Sequence, residues 1–242
     1  MKKAKRYISL ILVCTLLLSM QVFANIDENF SSFEMYPSYL SNSEIKNNNH
    51  IKRLAKYDRT FDTIGYKNSD GTETAYVFSN HIRYEENGKI KDKDLTVKEN
   101  FSLFKNDQIF FQYSNTTNDV KTYFKNEIKN DAIKLEYQEY EICLTPITEQ
   151  AKTDTKASLL KEDGQNLTNQ ILYPNAFGNH TKLVYTTGYS GLKEDIILDT
   201  YTGQSEFTFR LNCSMLTPKE ENRGINFYQG ETVVMSIPPV FM

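Results

Sequence analysis

Tryptophan is absent from the 242 residues, and cysteine and histidine occur three times each. The histidines, His50, His81 and His180, stand at no metal-ligand spacing from one another. The cysteines are too far apart in the chain to make a zinc pattern. No metal or cofactor is expected. Neither a Gly-x-Ser-x-Gly elbow nor a phosphate-cradling glycine loop is present, which removes the commonest local signatures of hydrolases and nucleotide enzymes. Two carboxylates roughly 5 to 10 Å apart would suffice for glycoside hydrolysis, but 31 acidic residues make some such pair inevitable and so identify none. Basic clusters are also missing. Lys52-Arg53 is only a pair, and without a basic footprint neither a nucleic-acid nor an anionic-membrane partner is expected. Together these absences predict a protein that is not an enzyme.

The one sustained apolar run is at the start. Lys2, Lys3, Lys5 and Arg6 precede an apolar stretch over residues 7–18, and Val22-Phe23-Ala24 offers an aliphatic-x-small cleavage site. This is the pattern of an export signal, cut between Ala24 and Asn25. A membrane span needs about 20 apolar residues, and this stretch is shorter. Cys14 follows Val13 inside the apolar run, which does not fit a lipidation site. Removing the leader takes away four of the 28 basic residues and none of the 31 acidic ones, leaving a net charge of −7. The mature chain is therefore expected to be secreted or associated with the cell envelope, without a transmembrane span.

What remains is rich in aromatics, with 16 Tyr and 15 Phe, a composition that favours half-buried pleated surfaces. Residues 25–56 are rich in Asn and Ser without a sustained period and read as a flexible lead-in, with a short helix over 44–55 as the alternative. From residue 60 the pattern becomes strand-like. Residues 61–66 and 72–79 flank Asn68-Ser69-Asp70-Gly71, and residues 82–84 and 89–97 flank Glu86-Asn87-Gly88, so two hairpins are predicted. Further strands fit 108–113, 120–124 and 133–144. The last changes phase, because Ile133, Leu135 and Tyr137 share one parity and Tyr140, Ile142 and Leu144 the other. A bulge or reversal near Gln138-Glu139 is required. Residues 148–169 are polar and read as a surface loop or linker, after which strands fit 182–186, 192–198, 206–211, 225–228 and 232–237.

The predicted fold is all-β, an antiparallel β-sandwich or two packed β subdomains after a cleaved signal peptide. Its parts are the signal peptide (1–24), the lead-in (25–56), a first β region (57–147), the polar loop or linker (148–169) and a second β region (170–242). Cys143 and Cys213 remain after cleavage, in a compartment where disulfides persist. A bridge between them and two separate small apolar residues are equally compatible with the sequence. Lys193-Glu194-Asp195 is the densest charged triplet beside an apolar strand. It reads as a solvated turn, with a recognition or cation site as the rival. Aromatics on strands could line a glycan groove, although core packing is their more frequent role.

Two phrases carry a family likeness. One is Tyr84-Glu85-Glu86-Asn87-Gly88-Lys89-Ile90-Lys91-Asp92-Lys93-Asp94-Leu95. The other begins at Tyr173-Pro174-Asn175 and runs through Tyr185 to Gly191-Leu192-Lys193-Glu194-Asp195-Ile196. Together they resemble the N-terminal β-rich region of large secreted proteins of low-GC Gram-positive bacteria, the RHS/YD-repeat, wall-associated and DNRLRE-domain proteins. Ile237-Pro238-Pro239 resembles the closing strand of that region, and Ile90 departs from it, standing where tryptophan is frequent. The resemblance covers residues 57–242. It implies a structural or envelope-interaction module at the front of a surface or toxin-delivery protein, here a truncated or stand-alone copy. Its implied partners are cell-wall glycan or downstream repeats. A secreted glycan-binding sandwich and a carboxylate-based glycan hydrolase fragment are the rival readings.

Overall fold

A computed structural model describes residues 50–100, 110–148, 155–162, 165–201 and 203–240. The export signal, its Ala24–Asn25 cleavage point and most of the lead-in lie outside the described residues. The chain divides into two compact units, Met1–Ile90 and Lys91–Met242. Every regular element among the described residues is a β-strand, and every named strand pairing is antiparallel. The all-β expectation holds.

In the first unit, β1 (His50–Arg53), β2 (Thr63–Asn68) and β3 (Glu73–Val77) form a sheet in the order β1-β2-β3. The strand β1 falls where a lead-in or short helix was expected. His50, Lys52 and Arg53 pair with β2 across a register shift at Ile51, and His50, the first residue of β1, closes an aromatic cluster. The ring of His50 stacks on Tyr66 at 4.8 Å and meets Tyr76 edge-on at 5.6 Å. Asn68 Nδ2 donates to Thr72 and Thr74, so Asn68 Oδ1 accepts from His50 Nδ1 at 2.6 Å, and the Tyr76 hydroxyl donates to His50 Nε2 at 2.7 Å.

Both hairpins exist as the turn residues require. Asp70 accepts from the Thr72 amide and hydroxyl, and Gly71 takes φ +84°. The second hairpin joins β4 (Arg83–Glu86) to β5 (Lys89–Asp92) through Asn87 and Gly88, with φ 53° and 71°, the paired positive angles of a tight hairpin turn. Arg83 is 1% exposed. Its guanidinium donates to the carbonyls of Tyr57, Thr60 and Thr63 and pairs with Asp58 at 2.9 Å, which fixes the loop between β1 and β2.

The second unit is a sandwich. Its larger sheet contains β6 (Lys98–Glu99), β7 (Tyr113–Asn115), β8 (Val120–Phe124), β9 (Ile133–Tyr137), β10 (Tyr140–Ile147) and β15 (Thr208–Ser214), in the order β15-β10-β9-β8-β7-β6. The smaller sheet runs β11-β12-β13-β14, from β11 (Ser158–Glu162) and β12 (Gln165–Pro174) to β13 (Thr181–Gly188) and β14 (Gly191–Leu198). Phe124 and Ile133 from the first sheet and Ile171, Tyr173, Leu183 and Tyr185 from the second meet in one buried cluster. A third sheet, β16 (Thr217–Glu221), β17 (Gly224–Gln229) and β18 (Thr232–Ile237), closes a second cluster of Tyr140, Ile142, Leu216 and Phe227.

The phase change resolves as a hairpin. Tyr137 pairs with Tyr140 across Gln138 and Glu139, Gln138 having φ 56°. Leu135 then lies opposite Ile142 and Ile133 opposite Leu144, so both parities share one face of the sheet, which meets the first cluster at Ile133, Leu135 and Leu144 and the second at Tyr140 and Ile142. The polar stretch 148–169, by contrast, contains β11 and the first half of β12 where a loop was expected. Leu159 packs on the core from an edge strand, so Ser158 and Lys161, both exposed, can be polar without cost. The contact boundary between units also falls at Ile90 and Lys91, ahead of the linker read from composition.

Candidate functional site

The chain passes from the second hairpin into a strap, residues 93–97, held by side chains of the second unit, to which the strap itself belongs. The side chain of Lys93 is 2% exposed, and its ammonium lies 2.6 Å from both the Tyr189 carbonyl and Asp119 Oδ2. Asn115 Nδ2 donates to the carbonyls of Asp94 and Thr96, and the Thr187 hydroxyl to that of Leu95. Asn118 donates to the Gly188 carbonyl at 2.8 Å. The carbonyls of Asp94, Leu95 and Thr96, which lie outside the named strands, thus take side-chain partners in place of ladder bonds. Lys93, Asn115 and Thr187 therefore seat the strap.

The second phrase supplies the strands opposite. Within it, Lys193-Glu194-Asp195 lies inside β14 instead of in a turn, and the alternation of the strand splits the triplet between two faces. Lys193 and Asp195 pair at 3.1 Å on one face. On the other, Glu194 lies opposite Tyr185 and accepts its hydroxyl proton at 2.5 Å. Part of Glu194 is exposed, but loss of water around the carboxyl raises its pKa above the ordinary value, against the opposing effect of the Tyr185 hydrogen bond. Burial and the neighbouring carboxylate push the Tyr185 hydroxyl far upward.

Cys143 and Cys213 sit on adjacent strands yet form no bridge, and both thiols are free. Cys143 lies opposite Asn212, while Cys213 lies opposite Ile142. This one-residue offset turns the two thiols to opposite faces of the sheet. Cys213 faces the second core cluster. The Cys143 thiol is pushed up to about 11, first by burial and then by Asp131 and Glu141, so it stays protonated at neutral pH and is a poor nucleophile.

The histidines are dispersed. His50 is buried in its aromatic cluster, His81 touches Phe61 at 5.4 Å, and His180 occupies an exposed turn at φ 66°. Among the described residues no three His, Cys, Asp or Glu side chains are grouped to hold a metal.

Two outward sheet faces carry aromatics. On the larger sheet Lys134 lies 4.4 Å over the Tyr123 ring, Phe111 lies 5.6 Å from Tyr123, and Lys125 lies 5.5 Å over Phe111. Lys134 also pairs with Glu136 at 3.2 Å and Glu141 at 3.0 Å. Burial lowers its pKa, but the bonds to the two carboxylates outweigh that and leave it raised. On the third sheet, Glu221 accepts from Asn226 and Tyr228, which holds its carboxyl below the ordinary value, and Lys219 lies 4.5 Å over Tyr228. A shallow hollow of about 340 Å³ is lined by Pro218, Lys219, Glu220, Arg223, Gly224 and Ile225. Glu220 is the one carboxylate residue in its lining.

No family profile matches the chain, and no solved structure matches it. Among curated proteins, the tRNA nuclease WapA of Bacillus subtilis strain 168 is 26% identical over 191 residues, covering 76% of this chain and 8% of that protein. The tRNA(Glu)-specific nuclease WapA of Bacillus subtilis subsp. natto matches to the same extent. The immunodominant staphylococcal antigen B of Staphylococcus aureus is 29% identical over 100 residues, covering 41% of this chain and 57% of the antigen. The chain thus spans about 8% of the length of the first relatives that it matches. These relatives correct the expectation that the chain stands apart from enzymes, because the proteins it matches over three quarters of its length are named nucleases. The absence of local catalytic motifs misled, since such motifs report some chemistries and are silent on others. No helix among the described residues is long and apolar enough to cross a membrane.

Proposed function

We propose that this chain is an exported, envelope-associated β module of a tRNA-nuclease-type surface protein of the RHS/wall-associated kind, serving the presentation or delivery of that activity outside the cytoplasm. The observation that carries this reading is the 191-residue similarity to WapA nucleases, which takes in 76% of the chain. The export signal supports it, as does the similarity to a staphylococcal antigen. The sandwich suits the role, because a strap seated by Lys93, Asn115 and Thr187 gives a rigid platform whose outward faces stay available. Cell-wall glycan or the repeats of a larger protein are the partners we assign to it. Outward Tyr123 and Tyr228, each beside a lysine and a carboxylate, favour the glycan among these.

The test is genetic and biochemical. Deleting the gene in the producing bacterium is expected to remove tRNA-cleaving activity from the envelope and medium fractions, with restoration on complementation. Unchanged tRNA cleavage in those fractions would contradict the proposal.

A further inference from the structure

The sheet edges of the second unit are protected by different means. The strand β6 has only two residues, β11 breaks register between Leu159 and Lys161, and β14 carries Lys193, Glu194 and Asp195. Next, β16 has Pro218 followed by Lys219, Glu220 and Glu221, and β18 meets β17 across a register shift. Short length, bulges, charges and proline are the usual devices against edge-to-edge pairing.

The remaining edge, β15, has little of this. Its seven residues run in unbroken register with β10, contain no proline and no acid, and carry one charge, Arg210. Among the described residues no strand pairs with its outer side. Thr208, Arg210, Asn212 and Ser214 are exposed. Phe209, Leu211 and Cys213 point inward yet remain partly open, whereas Ile142, opposite Cys213 on β10, is buried.

We propose that β15 is the docking edge for a second copy of this chain, so that the six-stranded sheet continues across a two-fold axis. Directly opposed residues of antiparallel strands share a face, so the axis must pass through a residue and not between two. An axis at Leu211 pairs all seven residues. Thr208 then meets the partner's Ser214, Phe209 the partner's Cys213, and Arg210 the partner's Asn212. The apolar row continues, and the only charge meets a carboxamide. An axis at Arg210 would oppose two arginines, and one at Asn212 would leave Thr208 and Phe209 without partners in the strand. The chosen register also brings Met215, 64% exposed at φ 62°, toward the partner's Phe207. Self-complementary two-fold contacts are the commonest form of association, and strand addition draws its affinity from main-chain hydrogen bonds. Arg210 also donates to Asn130 at 3.0 Å, which holds the guanidinium on the outer face of the sheet.

Light scattering on the purified chain across the micromolar range tests this. The unmodified chain is expected at the mass of two chains. Asn212→Arg sets an arginine against Arg210 at both symmetric places, and is expected to halve the mass while leaving the circular dichroism unchanged. Adding Arg210→Glu to Asn212→Arg makes those pairs opposite in charge and is expected to restore the double mass. A single-chain mass for the unmodified chain, an Asn212→Arg variant that stays double, or a double variant that stays single would each overturn the proposal.

Discussion

Tyr185 and Glu194 show how one side chain sets another. The tyrosine is buried in the sandwich core and its hydroxyl reaches outward to the carboxyl of an edge strand. Because the Glu194 pKa is raised in the fold, its contribution is fully present below the unfolded value and is lost as pH rises through the folded one. Glu194→Gln keeps an acceptor for Tyr185 without the charge. Thermal unfolding over a pH series should therefore show the variant close to the unmodified chain in acid and more stable than it at neutral pH. A less stable variant at neutral pH would mean that the charged hydrogen bond outweighs desolvation. The sequence displayed the Lys193-Glu194-Asp195 triplet but not this pairing. Tyr185 is nine residues away and meets Glu194 only through the register of β13 and β14.

At the scale of elements, Arg83 joins a strand to a loop, with its guanidinium spread over three carbonyls and Asp58. Arg83→Ala would leave those groups without the buried partner they share, and a loss of about 3 kcal/mol is expected in urea unfolding of the first unit. A loss near zero would show that water replaces the guanidinium. Elements were legible where local chemistry is decisive. Asn87-Gly88 and Gly71 announced their hairpins because few other residues accept those angles, and the parity change at Gln138-Glu139 required a reversal. The strands β1, β11 and β16 were not legible. They are short or at edges, and β16 is exposed along its whole length, so no alternation of apolar residues marks it. The thiols were ambiguous for a related reason. Spacing says nothing of faces, and a single step of register separates Cys143 from Cys213.

For the whole molecule, composition and aromatic content led to the right fold class, because buried Tyr and Phe on both sheets are what close a sandwich without tryptophan. Function was less legible. The outward clusters around Tyr123 and Tyr228 arise from cross-strand neighbours, and the nuclease relationship came from similarity spread along 191 residues instead of from a local motif. Export joins the fold to the proposed role, since a module that presents an activity at the envelope must leave the cytoplasm. Mass spectrometry of the N-terminus of the chain, recovered separately from the cytoplasm, envelope and medium of the producing cells, tests this most directly. A chain beginning at Asn25 and confined to envelope and medium is expected. An intact Met1 to Ala24 leader on a chain found in the cytoplasm would contradict it.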